Sequence, residues 1–341
     1  MKSYSFYSII KSGNFKEAEM KIAEKTHEIN EIISNASTVF LMAHKDLDLD
    51  AINSCIGVDY YLKTLKKKSF IIIDDKRSEP GVKKVLKSLD KKIKIIKSKK
   101  ALEKKDDKSL LIILDTNKEK LTQNPEIIKE FNSILNIDHH TKTEESINAA
   151  LSIIDENISS TCEIITELLK ENAININENI ATLLLGGIIL DTNYYKSHTN
   201  ANTFYNSYIL LNSGGEVGEV NELLKQDIKD YIKIQKIIAS VKVINNVAIG
   251  KGLQRSEYKK EELAKTANSL LTFNDIKASF VVARINKETV GISGRSNGTI
   301  NVGKVLENFG GGGSETEAAA KIEKTNVNKI IGELSNIIRG L

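Results

Sequence analysis

The acids and imidazoles of this chain gather at the ends of short apolar runs. His44-Lys-Asp46-Leu-Asp48-Leu-Asp50 follows the run Thr38–Ala43 directly, and Asp115 ends Leu110–Leu114. Asp138-His139-His140 ends Ile134–Ile137, and Asp191 ends Leu185–Leu190. In an open α/β sheet the carboxyl ends of strands converge on one crevice, so these segments are expected to deliver their side chains to one place. Carboxylates crowded there repel one another and need neutralising. Hard oxygen ligands mixed with imidazoles suit Mn²⁺ or Mg²⁺, and without cysteine ligands they suit zinc less well. A pair of such ions supports in-line displacement at phosphorus.

Each piece alone has a bland reading. A single Asp after a strand is usually a turn or helix cap, and Asp46 fits that role best. A lone His is more often packed or on the surface than a ligand. Three of the five histidines lie in these clusters, however, and their joint occurrence weighs against coincidence.

Positioning such residues requires strands that alternate with helices. The periodicity predicts an amphipathic helix over 14–34 and another from Asp50 to about Leu65. Strand-length apolar runs recur at Ser69–Ile73, Ile93–Ile96, Leu110–Leu114 and Ile134–Ile137, which argues for a parallel sheet covered on both faces. From Ser160 to Leu190 the pattern is helical, and Glu219–Ala239 reads as one connecting helix. Val241–Ile249, Ala278–Arg284 and Thr289–Ser293 read as strands of a second sheet, with two helices closing the chain. The fold class is therefore α/β, a parallel-sheet domain followed by a smaller α/β domain with a mixed sheet. The expected divisions are an N-terminal helical segment 1–34, a catalytic domain 35–215, a linker helix 216–240 and a second domain 241–341.

Composition fits this. A length of 341 residues suits two domains, and 40% hydrophobic residues suffice for two cores. With 49 basic and 45 acidic residues the net charge is only +4, which argues against a dedicated duplex-DNA binder. Lysine runs such as Lys66-Lys-Lys68 are expected to coat helix faces. Cys55 and Cys162 lie in apolar contexts and read as reduced core residues. The longest apolar stretch, near Ala181–Leu190, is too short to span a bilayer, and the N-terminus shows no signal pattern. The expectation is a cytoplasmic protein with no membrane segment in this chain. Oligomeric state is left open, a homodimer being compatible with the sequence.

Taken together, these segments resemble the DHH phosphoesterase family, named for the triplet seen here as Asp138-His139-His140. The His-x-x-x-Asp-x-Asp signature stands as His44, Asp48 and Asp50, followed in order by Asp115 and by Asp191 in Gly186–Thr192. The C-terminal part resembles the DHH-associated domain through Gly291–Ser296, Ile300–Val302 and Gly310–Gly313. Within the family the likeness is to the catalytic part of the cyclic-di-AMP phosphodiesterases of GdpP type. It rests on Met42–Lys45, Ser159-Ser-Thr161, Ala278–Val282 and Val290–Ser293.

The resemblance implies two Mn²⁺ ions, with Mg²⁺ as the alternative. His44, Asp48 and Asp115 would hold one, and Asp50, Asp115, His139 and Asp191 the other, with Asp115 shared. His140 would orient the site or touch the scissile phosphate, so the catalytic positions are Asp115 and His140. The second domain would bind substrate through Arg295, Gly311, Gly312, Gly313 and Ser314, joined by His198 after Asp191. The implied reaction hydrolyses cyclic-di-AMP to linear pApA and onward to AMP. The alternative is a nanoRNase or 3′-phosphoadenosine 5′-phosphate phosphatase acting on short oligoribonucleotides such as pApA. A nucleotide-binding module without turnover is a third reading, which the intact ligand set disfavours.

The substrate residues depart from the family pattern. Ser314 stands where the glycine loop usually ends in His. His198-Thr-Asn-Ala-Asn202-Thr-Phe204 replaces a run that usually carries two arginines, which removes two bidentate phosphate contacts. Gly310–Gly313 is expected to lead into a helix whose N-terminus could cradle phosphate. Ser314-Glu-Thr-Glu317 also reads as a capping box that would satisfy that helix start internally.

Overall fold

The computed structural model describes residues 16–75, 78–225, 227–254 and 256–341. The chain divides into two compact units, Met1–Lys225 and Gln226–Leu341.

In the first unit, helix α1 (Lys16–Asn35) precedes a sheet of six strands: β1 (Val39–Met42), β2 (Ser69–Ile72), β3 (Ile95–Ile96), β4 (Leu110–Leu114), β5 (Ser133–Asp138) and β6 (Leu151–Ile154). Their order is β3-β2-β1-β4-β5-β6, and every pairing is parallel. Every residue of β1, β2 and β4 is buried, as expected where a parallel sheet is covered on both faces. Helices α2 (Leu49–Thr64), α3 (Pro80–Ser88) and α4 (Ser98–Lys104) follow β1, β2 and β3. Then α5 (Thr161–Glu171), α6 (Glu178–Asp191), α7 (Ala201–Asn212) and α8 (Val217–Leu224) follow β6. One core gathers Leu41, Ile52, Ile112, Ile165 and Leu184; the opposite face of the sheet buries Phe40, Phe70, Ile113 and Phe131. The chain's direction along the sheet reverses between β1 and β4, which pair directly. In doubly wound sheets that switch point opens a crevice at the carboxyl ends.

The second unit starts with α9 (Ile228–Ala239) and builds a mixed sheet. Its strands are β7 (Lys242–Ile244), β8 (Val247–Lys251), β9 (Ala278–Arg284), β10 (Thr289–Ser296), β11 (Gly312–Gly313) and β12 (Glu317–Glu323), in the order β11-β12-β10-β9-β8-β7. Among the described residues of this unit only β8 and β9 pair in parallel, the chain crossing between them through α10 (Lys260–Leu270). Helices α11 (Val302–Glu307) and α12 (Val327–Arg339) complete the unit.

Several expectations need correcting. Asp191 is the last residue of α6, not the end of a strand. The connector expected over 219–239 is two helices, α8 and α9, because Asp227 caps a new start by accepting the Lys229 N–H at 2.7 Å. Val241–Ile249 is a hairpin whose turn, Asn245-Asn246, has both residues at positive φ, 49° and 64°. Strands β6 and β12 had no expected counterpart. The start of the predicted N-terminal helix, Asn14 and Phe15, lies outside the described residues. The glycine loop leads into β12, not a helix, so there is no helix N-terminus to cradle phosphate. Ser314 N–H donates to Glu317 O at 2.7 Å and Ser314 Oγ accepts the Glu317 N–H at 3.0 Å, closing a β-turn. The Ser-x-x-Glu spacing makes the hydrogen bond that the capping box predicted, but the chain beyond it is extended.

Two helical glycines separate packing from propensity. On α6, a Cβ at Gly187 would collide with Cys162 Sγ and lie 2.7 Å from Asp50 Oδ1. On α12, a Cβ at Gly332 would meet nothing within 4 Å. Gly187→Ala is predicted to destabilise the protein by about 1–3 kcal/mol through overpacking. Gly332→Ala is predicted to stabilise it by about 0.5–1 kcal/mol through helix propensity. Denaturant midpoints of the two variants against the parent measure both.

Candidate active site

The loop after β1 carries His44 and is pinned on both sides. Lys45 N–H donates to Leu121 O at 2.7 Å, and Gln123 Nε2 donates to His44 O at 2.8 Å. The same Gln123 accepts through Oε1 from the Asp74 and Asp75 N–H groups, tying together the loops that follow β1, β2 and β4. Asp48 is the N-cap of α2: its Oδ1 accepts the Ala51 N–H at 3.0 Å, leaving Oδ2 3.6 Å from His44 Nε2. The expected cap, Asp46, is therefore not the cap.

Asp50, fully buried in the first turn of α2, faces the N-terminus of α5. Its Oδ2 accepts the Thr161 N–H at 2.7 Å and its Oδ1 the Cys162 N–H at 2.8 Å. Those amides point at it because α5 starts there, capped by Ser160, and a helix start favours an anion. Asp115 follows β4 with φ 59°, a conformation costly for a residue with a Cβ and concentrated at functional sites. Its N–H donates to Ile137 O at 3.0 Å, and its Oδ1 accepts from Thr161 Oγ1 at 3.1 Å.

Asp115 stands between two imidazoles. Its Oδ2 is 3.3 Å from His44 Nε2, and its Oδ1 is 3.4 Å from His139 Nε2. His139 Nε2 also lies 3.2 Å from Asp191 Oδ2 and 4.0 Å from Asp50 Oδ2. Two ligand sets emerge, His44–Asp48–Asp115 and Asp50–Asp115–His139–Asp191, each with donor atoms within 4.8 Å of one another. All six positions expected to hold metal are thus brought together. A third grouping, Asp115–His139–His140, lies at its edge.

His140 is mostly exposed, and its Nδ1 is 2.8 Å from Asp138 Oδ1. A neutral His140 donating from Nδ1 to Asp138 presents Nε2 as an acceptor, and a protonated one presents it as a donor. The sequence reading gave no role to Asp138, Thr161 or Gln123. Only Asp138 and Thr161 carried a signal, as members of motifs already noticed.

The electrostatics are those of crowded acids. Burial pushes Asp50 well above the usual carboxylate range, with repulsion from Asp115 and Asp191 adding to it. Burial also lifts Asp191 to about 6, against the pull of His139 and with repulsion from Asp48. Burial would lift Asp115 too, but His139 and His44 together hold it far below the usual range. For both imidazoles burial opposes the charged form, yet the neighbouring carboxylates raise them well above the usual value. Two imidazoles do not neutralise four carboxylates. His139 Nε2, moreover, is buried among three of those carboxylates without a hydrogen bond of acceptable geometry to any of them. A buried imidazole nitrogen inside a ring of carboxylate oxygens fits divalent cations of the Mn²⁺ or Mg²⁺ type.

The expected substrate residues are placed differently. His198 lies on the exposed loop after α6 with φ 52°. In the second unit, Arg295 on β10 is paired across the strands with Glu317, its Nη2 3.6 Å from Glu317 Oε2. Its Nη1 donates to Gly294 O at 2.9 Å, while Nε is buried without a partner. Arg295, Gly312 and Gly313 line a cavity of about 400 Å³ together with Lys260, Leu263 and Glu317. Gly311 and Ser314 are not among its lining residues. A Cβ at Gly311 would collide with Ala319 O, so this glycine serves the close approach to β12.

The DHH family N-terminal domain matches residues 38–188, and the DHHA1 domain matches residues 234–340. The cyclic-di-AMP phosphodiesterase GdpP of Geobacillus thermodenitrificans is 31% identical over 331 residues, 95% of this chain and 50% of the relative. The bifunctional oligoribonuclease and PAP phosphatase NrnA of Mycoplasma genitalium is 28% identical over 240 residues, 68% of this chain and 74% of the relative. The chain spans about half the length of the cyclic-di-AMP phosphodiesterases it matches. Among solved structures, an exopolyphosphatase-related protein from Bacteroides fragilis superposes with a TM-score of 0.78 at 20% identity, covering 93% of this chain and 97% of that one. Among the described residues no helix is long and apolar enough to cross a membrane. The chain belongs to the DHH family, its DHH domain followed by a DHHA1 domain.

Proposed function

We propose that this chain is a two-metal phosphodiesterase that hydrolyses cyclic-di-AMP to linear pApA. The observation that carries the reading is Asp115, whose two oxygens face His44 on one side and His139 on the other. His44, Asp48 and Asp115 would hold one ion, and Asp50, Asp115, His139 and Asp191 would hold the second. Manganese is the proposed resident metal, with magnesium as substitute. When bound, such a pair activates water and balances charge at a phosphoryl group in displacement.

The remaining roles belong to the chain's own side chains. Thr161 donates to Asp115 Oδ1 and so fixes the orientation of the shared carboxylate. The α5 amides fix Asp50 in the same way. Asp138 holds His140 at Nδ1, which leaves Nε2 to meet a phosphate oxygen. In the second unit, Arg295 offers a buried Nε without a partner on a cavity of suitable size for part of a nucleotide. The 31% identity to a cyclic-di-AMP phosphodiesterase over nearly the whole chain supports the choice of substrate.

A second reading, hydrolysis of short oligoribonucleotides such as pApA or of 3′-phosphoadenosine 5′-phosphate, is favoured by His198 and Asn202. They stand where the cyclic-dinucleotide enzymes are expected to carry arginines. The likeness to the NrnA protein points the same way.

Product analysis with Mn²⁺, comparing cyclic-di-AMP, cyclic-di-GMP, pApA and 3′-phosphoadenosine 5′-phosphate, separates the two readings. The proposal predicts pApA formed from cyclic-di-AMP; turnover of the linear substrates alone would move the assignment to the second reading. Asp115→Ala is expected to lower kcat/KM at least ~10³-fold on every substrate, and parent-like turnover would refute the mechanism. Thr161→Val removes only the hydroxyl that orients Asp115. It is expected to cost about 10–100-fold in activity or Mn²⁺ affinity, read by steady-state kinetics across a Mn²⁺ titration.

A further inference from the structure

A nucleotide brings flat bases as well as phosphates, and the segment after Asp191 presents flat surfaces. The rings of Tyr195 and Phe204 stack with centroids 5.3 Å apart and planes 22° from parallel. Tyr195 is fixed from behind, its hydroxyl donating to Ser207 Oγ at 3.0 Å and its N–H to Thr192 Oγ1 at 3.0 Å. Phe204 remains 55% exposed, flanked in sequence by Tyr194 at 49% and Tyr208 at 61%. Scattered exposed apolar residues need no explanation, but several large rings in one short segment mark a binding surface.

This surface follows closely in the chain on Asp191 of the proposed metal centre. Tyr195 is four residues beyond Asp191, at most ~15 Å of extended chain. The turn is wound tighter than that, because Tyr194 N–H donates to Ile189 O and Lys196 N–H to Thr192 O, both at 2.9 Å. Asn193, Tyr194 and Tyr195 all adopt positive φ, at 46°, 59° and 60°. Three consecutive left-handed residues with side chains are strained and persist only where the surroundings over-determine them. The turn is held by its bonds to Thr192, Ile189 and Ser207, and a separate polar network anchors α7, which carries Phe204. Asn206 Nδ2 donates to Glu163 Oε1 at 3.2 Å and to Glu167 Oε1 at 3.0 Å, and Asn200 Nδ2 donates to Asn157 O at 2.7 Å. Ser159 Oγ donates to Glu163 Oε2. The network anchors the helix from which the exposed Phe204 ring projects.

We propose that Phe204, backed by Tyr195, is a stacking platform for one nucleobase of the substrate whose phosphate lies at the Asp115 centre. The proposal rests on the phosphodiesterase reading and extends it from the phosphate to the base. Stacking on an aromatic face tolerates every base, so Phe204 sets the need for a base and not its identity.

The test uses the parent, Phe204→Ala and Phe204→Trp with two linear substrates, pApA and an analogue in which one adenine is replaced by hydrogen. A 2-aminopurine dinucleotide supplies a second readout, since stacking quenches its fluorescence without any need for turnover. The proposal predicts that Phe204→Ala raises KM for pApA about tenfold while kcat changes less than about twofold. It further predicts little effect on the base-lacking analogue, recovery in Phe204→Trp, and quenching that only Phe204→Ala abolishes. An unchanged KM, or equal losses on both substrates, would overturn it. So would sedimentation showing that Phe204→Ala dissolves a dimer, for the face would then belong to a second copy. Quenching by a parent that hydrolyses no nucleotide would retain the platform and discard the phosphodiesterase reading; hydrolysis without differential quenching would do the reverse.

Discussion

A buried carboxylate held between two imidazoles is the constraint around which the first unit is arranged. Asp115 reaches that position only because β4 pairs directly with β1 at the point where the strand order reverses. The same pairing sets His44 and Asp115 at neighbouring strand ends, and β5 on the far side of β4 brings His139 to the second oxygen. The left-handed backbone at Asp115 is a local cost tolerated there, with its N–H anchored on Ile137. A sheet with another strand order would separate these groups, whatever the identity of the side chains.

Helices then complete what strands begin. Asp48 and Asp50 sit at the start of α2, where one caps its own helix and the other accepts the first amides of α5. Asp191 arrives from the opposite direction, at the end of α6, and Gly187 lets that helix lie against Asp50 and Cys162. Asp48 and Asp50 are thereby oriented by helix starts and Asp115 by a hydroxyl before any ligand enters. Such pre-organisation matters because the cluster resists its own charge: Asp50 and Asp191 are pushed up by burial and by neighbouring carboxylates, while Asp115 is held down. Divalent cations would resolve that conflict, and the buried His139 Nε2, ringed by carboxylate oxygens, is placed to receive one.

Much of this was legible in the sequence. Short apolar runs ending in acids and histidines pointed to the parallel sheet and to four converging segments, since strand period and length are local properties, while the six ligand positions followed from the family resemblance. Features hidden from local pattern were decided by distant contacts. Asp191 ends an apolar run inside a stretch whose pattern is helical, so it arrives at the end of α6 and not at a strand end. Ser314–Glu317 carries a helix-start signature, but pairing of β12 with β10 overrides it. The roles of Thr161 and Gln123 depend on hydrogen bonds to partners 46 and 79 residues away, which no spacing rule reveals.

Sharing of Asp115 between two ions is read out by electron paramagnetic resonance of Mn²⁺-loaded protein. The expected result is two equivalents bound per chain with the signature of an exchange-coupled pair, and loss of that coupling in Asp115→Asn. A single uncoupled ion in the parent, or coupling that survives Asp115→Asn, would contradict it.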